Sequence, residues 1–301
     1  TSDPTSIKLR HMNTIQAPDQ STRFLFEQAD IRGETVSLHT ALAELLGQHA
    51  YSAATRRLLG EFAAAAVMIS NNLKYDGRII LQARSSGPLS LVMVECTSDS
   101  EIRGIARGDI GADTDDYLSL IAAGQLAITI ERNGGQRYQG IVALDAGSLT
   151  QALDNYFLQS EQLHTRFWLA ADAENAAGMM LQQLPAQLEQ APENRENQWQ
   201  NACAMAETLT PAELIELPTA VLLHRLYHEE PVRLFEPQAV RFNCSCSRER
   251  SLNALTSLGS EELAEILAEQ AVISMHCEMC GHNYEFKECD LSGLAQSPIL
   301  H

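Results

Sequence analysis

The chain is short of positive charge. Its 301 residues hold 21 lysines and arginines against 39 aspartates and glutamates, a formal net charge of −18. Such an excess of acid argues against general affinity for nucleic acid, which rests on neutralising phosphates. No run approaches the roughly 18 apolar residues of a membrane span, and no secretory signal is read at the start, so neither nucleic acid nor membrane is expected as a partner. The glycines of RGIARGDIG are not followed by the lysine of a phosphate-binding G-x-x-x-x-G-K-[ST] loop. The G-x-S-x-G elbow and H-E-x-x-H are absent too. Scattered His, Asp and Glu define no catalytic group, so the expectation is a protein that is not an enzyme.

What is present is an unusual set of cysteines. There are seven, Cys96, Cys203, Cys244, Cys246, Cys277, Cys280 and Cys289, and the close pairs are C-x-C at 244/246 and C-x-x-C at 277/280. A secreted disulfide framework would spread an even set through a small domain. One thiolate metal site in a reducing compartment fits better. Four thiolates from two chain segments suit Zn²⁺, which takes four sulfurs in a closed tetrahedral site. In an extended segment, residues two apart point to one side, so both sulfurs of Cys244 and Cys246 can reach one ion. His276 and His282 are alternative ligands, and Cys289 a weaker one. Either pair can also close as a local disulfide, because metal-bound thiolates are already in the reactive form. The metal ties the two segments together, and local disulfides do not. Cys96 and Cys203 read as ordinary buried thiols.

The hydrophobic pattern predicts α+β. The opening TSDPTSIKLRHM reads as a tag scar, with the native start at Met12 and a disordered stretch over residues 1–20. Residues 21–188 read as an N-terminal mixed α/β domain with antiparallel strands. Strands are expected at Arg23–Gln28 and Glu34–His39 around a turn at Gly33, then at GRIILQAR, LSLVMVEC, EIRGIARG and TRFWLAAD. Asn133-Gly134-Gly135 between two strand-like runs is a hairpin signal. Helices are expected at Thr55–Leu73, Asp113–Gly124 and Ser148–Leu163. The polar stretch Gln187–Gln200 marks a boundary, and 189–239 reads as a helical linker. There Thr210-Pro211-Ala212-Glu213 is a capping box, and Leu222, Leu223, Leu226 and Tyr227 form one apolar stripe. Residues 240–301 form a small C-terminal zinc module with two short helices and two strands around the CEMC turn. A unit of roughly 50–60 residues needs a staple to fold by itself.

CSCSRER with the later HCEMCG resembles the bacterial redox-regulated holdase chaperones of the heat-shock protein thirty-three family. IRGE (Ile31–Glu34), RGIARG (Arg103–Gly108), YFLQSEQL (Tyr156–Leu163) and LYHEE (Leu226–Glu230) resemble family segments too. The resemblance runs from about Ser21 to Phe286. It implies one Zn²⁺ on Cys244, Cys246, Cys277 and Cys280 when reduced. It implies disulfides Cys244–Cys246 and Cys277–Cys280 when oxidised, with zinc release, linker unfolding and dimerisation. It further implies a cytoplasmic protein that binds unfolding or aggregation-prone clients without ATP. The linker stripe of Leu222, Leu223, Leu226 and Tyr227 is then the expected gate to the client surface. One departure stands at Ala176–Pro185, where a turn with a second glycine is expected and Met179 occupies that place. The competing reading is a zinc-ribbon nucleic-acid binder, for which Arg248 and Arg250 beside the cysteines speak and the net charge speaks against. A thiol oxidoreductase is a third reading, but its C-x-x-C belongs at a helix start, and here glycine and a strand follow.

Overall fold

The computed structural model describes residues 18–114, 116–144, 147–160, 163–258 and 260–291. The expected tag scar and the tail from 292 lie outside the described residues. The chain opens with β1 (Gln20–Phe26), β2 (Ile31–Leu38), α1 (Thr40–Leu46) and α2 (Ala53–Asn72). Strands β3 (Gly77–Arg84), β4 (Leu89–Thr97) and β5 (Glu101–Gly108) follow, then α3 (Tyr117–Leu120) and the hairpin β6 (Gln125–Arg132) and β7 (Arg137–Ala143). Next come α4 (Leu149–Ser160), β8 (Thr165–Ala171) and β9 (Ala176–Gln183). The linker holds α5 (Pro192–Ala206), α6 (Pro211–Glu216), α7 (Thr219–Tyr227), β10 (Val232–Leu234) and β11 (Gln238–Ala239). The last part holds β12 (Arg241–Phe242), α8 (Arg248–Thr256), α9 (Ser260–Glu269), β13 (Ile273–His276), β14 (Asn283–Phe286) and α10 (Glu288–Leu291).

The fold is α+β, as the pattern predicts. One large sheet runs β10-β1-β2-β9-β8 with β11 also on β1, and the second runs β12-β5-β4-β3-β6-β7. All pairs are antiparallel except β12 on β5. Helix α2 packs against strands of both sheets. Its alanine-rich length explains this, since small side chains let two sheets close on one helix, and Ala63 to Met68 are wholly buried. The first sheet is covered on both faces. Val36, Leu38 and Met180 face the α2 core, while Phe24, Phe26, Ile31, Met179 and Leu181 join a second cluster with the linker helices.

Several local expectations are corrected. Gly33 is not in a turn. It lies inside β2 opposite Phe24, and a Cβ there would come within 2.1 Å of the Phe24 ring. Glycine is therefore demanded by close packing, and the turn falls at residues 27–30. Ala176–Gln183 is unbroken strand, with Met179 fully buried between Thr35 and Trp168 of the flanking strands, so no turn exists at that position. The helix expected over Asp113–Gly124 shrinks to Tyr117–Leu120. The Thr114 hydroxyl accepts from the Asp116 amide, a local bond that competes with helix, and Ala123 leaves the helical region at φ +51°. The linker is not helical throughout, because β10 and β11 bind its end to β1. At its beginning, the Asp30 carboxylate accepts from the amides of Gln187, Leu188 and Glu189 and from Arg195. Asp19, inside the stretch expected to be disordered, accepts from the amides of His39, Thr40 and Ala41 and so caps α1.

Candidate metal centre

Strands β13 and β14 pair as a hairpin, and the CEMC turn is its tip. The turn is closed by the Cys277 amide on the His282 carbonyl (2.9 Å) and the Gly281 amide on the Cys277 carbonyl (2.8 Å). Gly281 takes φ +69°, a left-handed conformation that a side chain resists, and a Cβ there would run into Gln48 Oε1. Cys244 and Cys246 arrive on the segment between β12 and α8, whose first turn is capped by Ser247. Arg250 binds the Ser245 carbonyl and hydroxyl, fixing the residue between these two cysteines.

The sulfurs of Cys244, Cys246, Cys277 and Cys280 all lie within 4.8 Å of one another. Cys244 to Cys277 is 3.8 Å and Cys246 to Cys280 is 3.3 Å, so both contacts run between segments and none is a disulfide. A tetrahedral four-thiolate zinc with Zn–S of about 2.3 Å needs sulfurs about 3.8 Å apart. The donor set therefore fits such an ion in number, softness and spacing. His276, His282 and Cys289 are not in the cluster. Cys96 and Cys203 are buried, in the α2 core and the linker cluster respectively.

The surroundings act on these thiols in different directions. Burial raises Cys244 and Cys280 above the ordinary thiol value. Burial opposes ionisation of Cys246 too, but the Tyr284 hydroxyl at 3.2 Å and the neighbouring sulfurs outweigh it, and its pKa falls. The N-terminal unit also touches the centre. Arg103 of β5 points Nη1 at Cys244 Sγ, 3.9 Å away. Burial works against its charge, and Glu95 together with Cys244 holds the guanidinium pKa above its usual value. Glu278 of the CEMC turn ion-pairs with Arg107, and its carbonyl meets His49 Nε2 at 2.6 Å. None of these contacts was anticipated. Their trace in the sequence is the alternation Arg103, Ile105, Arg107, which puts two arginines on one strand face.

The linker stripe is where the spacing puts it. Leu222, Leu223, Leu226 and Tyr227 are all buried on the first sheet, with Tyr227 edge-on to Phe26 at 4.9 Å. Its hydroxyl donates to the Ala202 carbonyl and so ties α7 to α5. The Thr210–Glu213 capping box is formed. Arg248 and Arg250, which spoke for a nucleic-acid surface, are engaged inside the module. Arg248 lies over the Phe286 ring and pairs with Asp290.

Fold and site together define a two-sheet α+β protein whose apolar sheet face is roofed by helices and whose end carries a separate four-cysteine module. A family model described as Hsp33 protein matches residues 19–287. The chain belongs to that family of chaperones. It is 51% identical over 280 residues to the 33 kDa chaperonin of Ectopseudomonas mendocina (strain ymp), covering 92% of this chain and 95% of the relative. It is 50% identical to that of Pseudomonas aeruginosa (strain LESB58), covering 92% and 94%. The crystal structure of the 33 kDa chaperonin from Thermotoga maritima superposes with a TM-score of 0.77, covering 92% and 97%, at 21% identity.

Proposed function

We propose that the protein is a redox-regulated, ATP-independent holdase, inactive when reduced and metal-loaded and active when oxidised. The observation that carries this is the roof over the first sheet. Phe24, Phe26, Ile31, Met179 and Leu181 form an apolar face, and α5 to α7 cover it with Trp199, Leu214, Leu222, Leu223, Leu226 and Tyr227. An unfolding client offers the same kind of apolar side chains. The reading divides the chain into a client-binding unit (21–188), a linker (189–239) and a zinc module (240–301).

Cys244, Cys246, Cys277 and Cys280 would hold one Zn²⁺, which supplies a cross-link between two segments and on the order of 10–16 kcal/mol of folding free energy. Oxidation by a peroxide takes two electrons from each cysteine pair. The bonds formed would be Cys244–Cys246 and Cys277–Cys280; each hydrogen peroxide loses its O–O bond, takes two protons from solvent and leaves as two waters. Each disulfide closes within its own segment, so all four donors are lost and no metal cross-link joins the segments. Module and linker then unfold, the sheet face opens, and the oxidised form dimerises. The cytoplasm, where thiols are kept reduced, suits such a switch. The test is light scattering from a thermally unfolding client without nucleotide, with zinc and free thiols counted before and after peroxide. Suppression by the oxidised form alone, with loss of zinc, is expected. Equal suppression by both forms would sink the switch.

A further inference from the structure

The four-cysteine centre stands at the end of a row of charges that crosses the whole second sheet. Arg137 of β7 lies 3.6 Å from Glu131 of β6, and Glu131 lies 2.6 Å from Arg78 of β3. Arg78 reaches Glu95 of β4 at 3.2 Å, and Arg103 of β5 binds the same carboxylate oxygen at 2.9 and 2.7 Å. The last member beyond Arg103 is Cys244 Sγ. Register builds most of this row, since Arg137 is opposite Glu131, Glu131 opposite Arg78, and Glu95 opposite Arg103. The signs alternate until the sulfur, which occupies the place of the next anion. Glu95 is 8% exposed and the Arg103 side chain 15%, so water screens this end of the row little. The backbone leads to the same point. Phe242 pairs with Ile102, and the Asn243 amide donates to the Ile102 carbonyl, one residue before Cys244.

We propose that Arg103 is a positioning residue of the cysteine centre, docking the module on the second sheet while the sulfurs are anionic and releasing it once they pair as disulfides. This rests on the redox switch proposed above. Four thiolates around a divalent cation carry a net charge of −2 by formal count, and two disulfides carry none. The guanidinium fork serves Glu95 with one edge and Cys244 with the other, a division that an ammonium group cannot reproduce. The second sheet therefore senses oxidation directly, by losing an anion, and not only through the linker.

The test uses the full chain, reduced and zinc-loaded, as wild type, Arg103→Met and Arg103→Lys. Zinc affinity is measured by competition with a chromogenic chelator, and hydrogen exchange is followed over residues 241–246. Arg103→Met is expected to bind zinc about 10–100-fold more weakly, the usual cost of losing a residue that supports a metal ligand. Arg103→Lys, which keeps the charge without the fork, should recover only part of that loss. A role in sheet stability alone would lower the melting temperature and leave zinc affinity unchanged, and that result overturns the proposal. Should Arg103→Met fail to fold, wild type decides: the Asn243 amide must lose protection when peroxide releases zinc. Protection retained after release overturns the proposal. If the oxidised wild type keeps its zinc, or suppresses no aggregation, the switch itself fails. Normal switching with wild-type affinity in Arg103→Met sinks Arg103 alone.

Discussion

In the N-terminal unit, α2 is buried along most of its length among strands of two six-stranded sheets. In the C-terminal module, the buried apolar cluster among the described residues is Leu255, Leu263, Ile273 and Phe286. The first has a core that closes on itself. The second has too little apolar surface to offset the entropy of ordering its chain, and on the proposed reading a metal held by the four converging sulfurs makes up the difference. The linker stands between these cases. Its apolar side chains are half of a core whose other half lies on the first sheet. Stability is thus graded along the chain, and the parts that the proposed switch takes apart are those without a closed core.

The contrast is broken most directly by removing one sulfur. Cys280→Ser should forfeit most of the metal's contribution, on the order of 10 kcal/mol. Hydrogen exchange should then show β13 and β14 unprotected while α2 and β3 to β6 stay protected. A module that remains protected without metal folds unaided, and the contrast falls. A smaller effect is expected at the linker. Leu226→Glu puts an unpaired charge against Phe26 and its neighbours and loses packing worth about 2–5 kcal/mol. The reduced, zinc-loaded variant should bind clients in the light-scattering assay. Continued inactivity with α5 to α7 still protected would show that the linker is not the gate.

The smallest effect concerns the N-terminal unit alone and sharpens the comparison by acting on one side of it. Glu34 is fully buried. Burial pushes its pKa from 4.5 up to about 7, against hydrogen bonds from Ser21 and Asn71 and the charges of Arg23 and Arg32. A carboxyl raised on folding contributes stability that is complete below its unfolded pKa and is lost as pH rises through the folded one. Between about pH 4.5 and 7 this group should remove about 3 kcal/mol at most. Urea unfolding of Glu34→Gln across that window should show a shallower dependence on pH, while zinc release by peroxide is unchanged. An identical slope in both proteins would mean that Glu34 keeps its charge in the core.

Much of this was legible in the sequence because it is local or covalently spaced. The cysteine pairs are short motifs, and the fold brings all four sulfurs together. The Thr210 capping box, the Asn133–Gly135 hairpin and the stripe at Leu222, Leu223, Leu226 and Tyr227 depend on neighbours within one or two turns. The misreadings at Gly33 and Met179 share one cause. Gly33 resembles a turn residue until the Phe24 ring from the adjacent strand is known to fill the space of its side chain. Met179 resembles a misplaced turn residue until β9 is seen buried on both faces. Composition cannot distinguish a glycine that bends the chain from one that admits a neighbour.

The sequence by itself determined the two close cysteine pairs, the α+β class and the apolar faces of the helices, because periodicity and spacing are properties of one segment; that His276, His282 and Cys289 stay out of the cluster was decided by the fold. Tertiary structure alone decided which sheet face the linker covers, and that β10 and β11 bind its end to β1. It also decided that the charge row from Arg137 ends at Cys244. Those facts join residues from separate segments of the chain. Strand register, which no single segment encodes, is what brings them within a few ångströms.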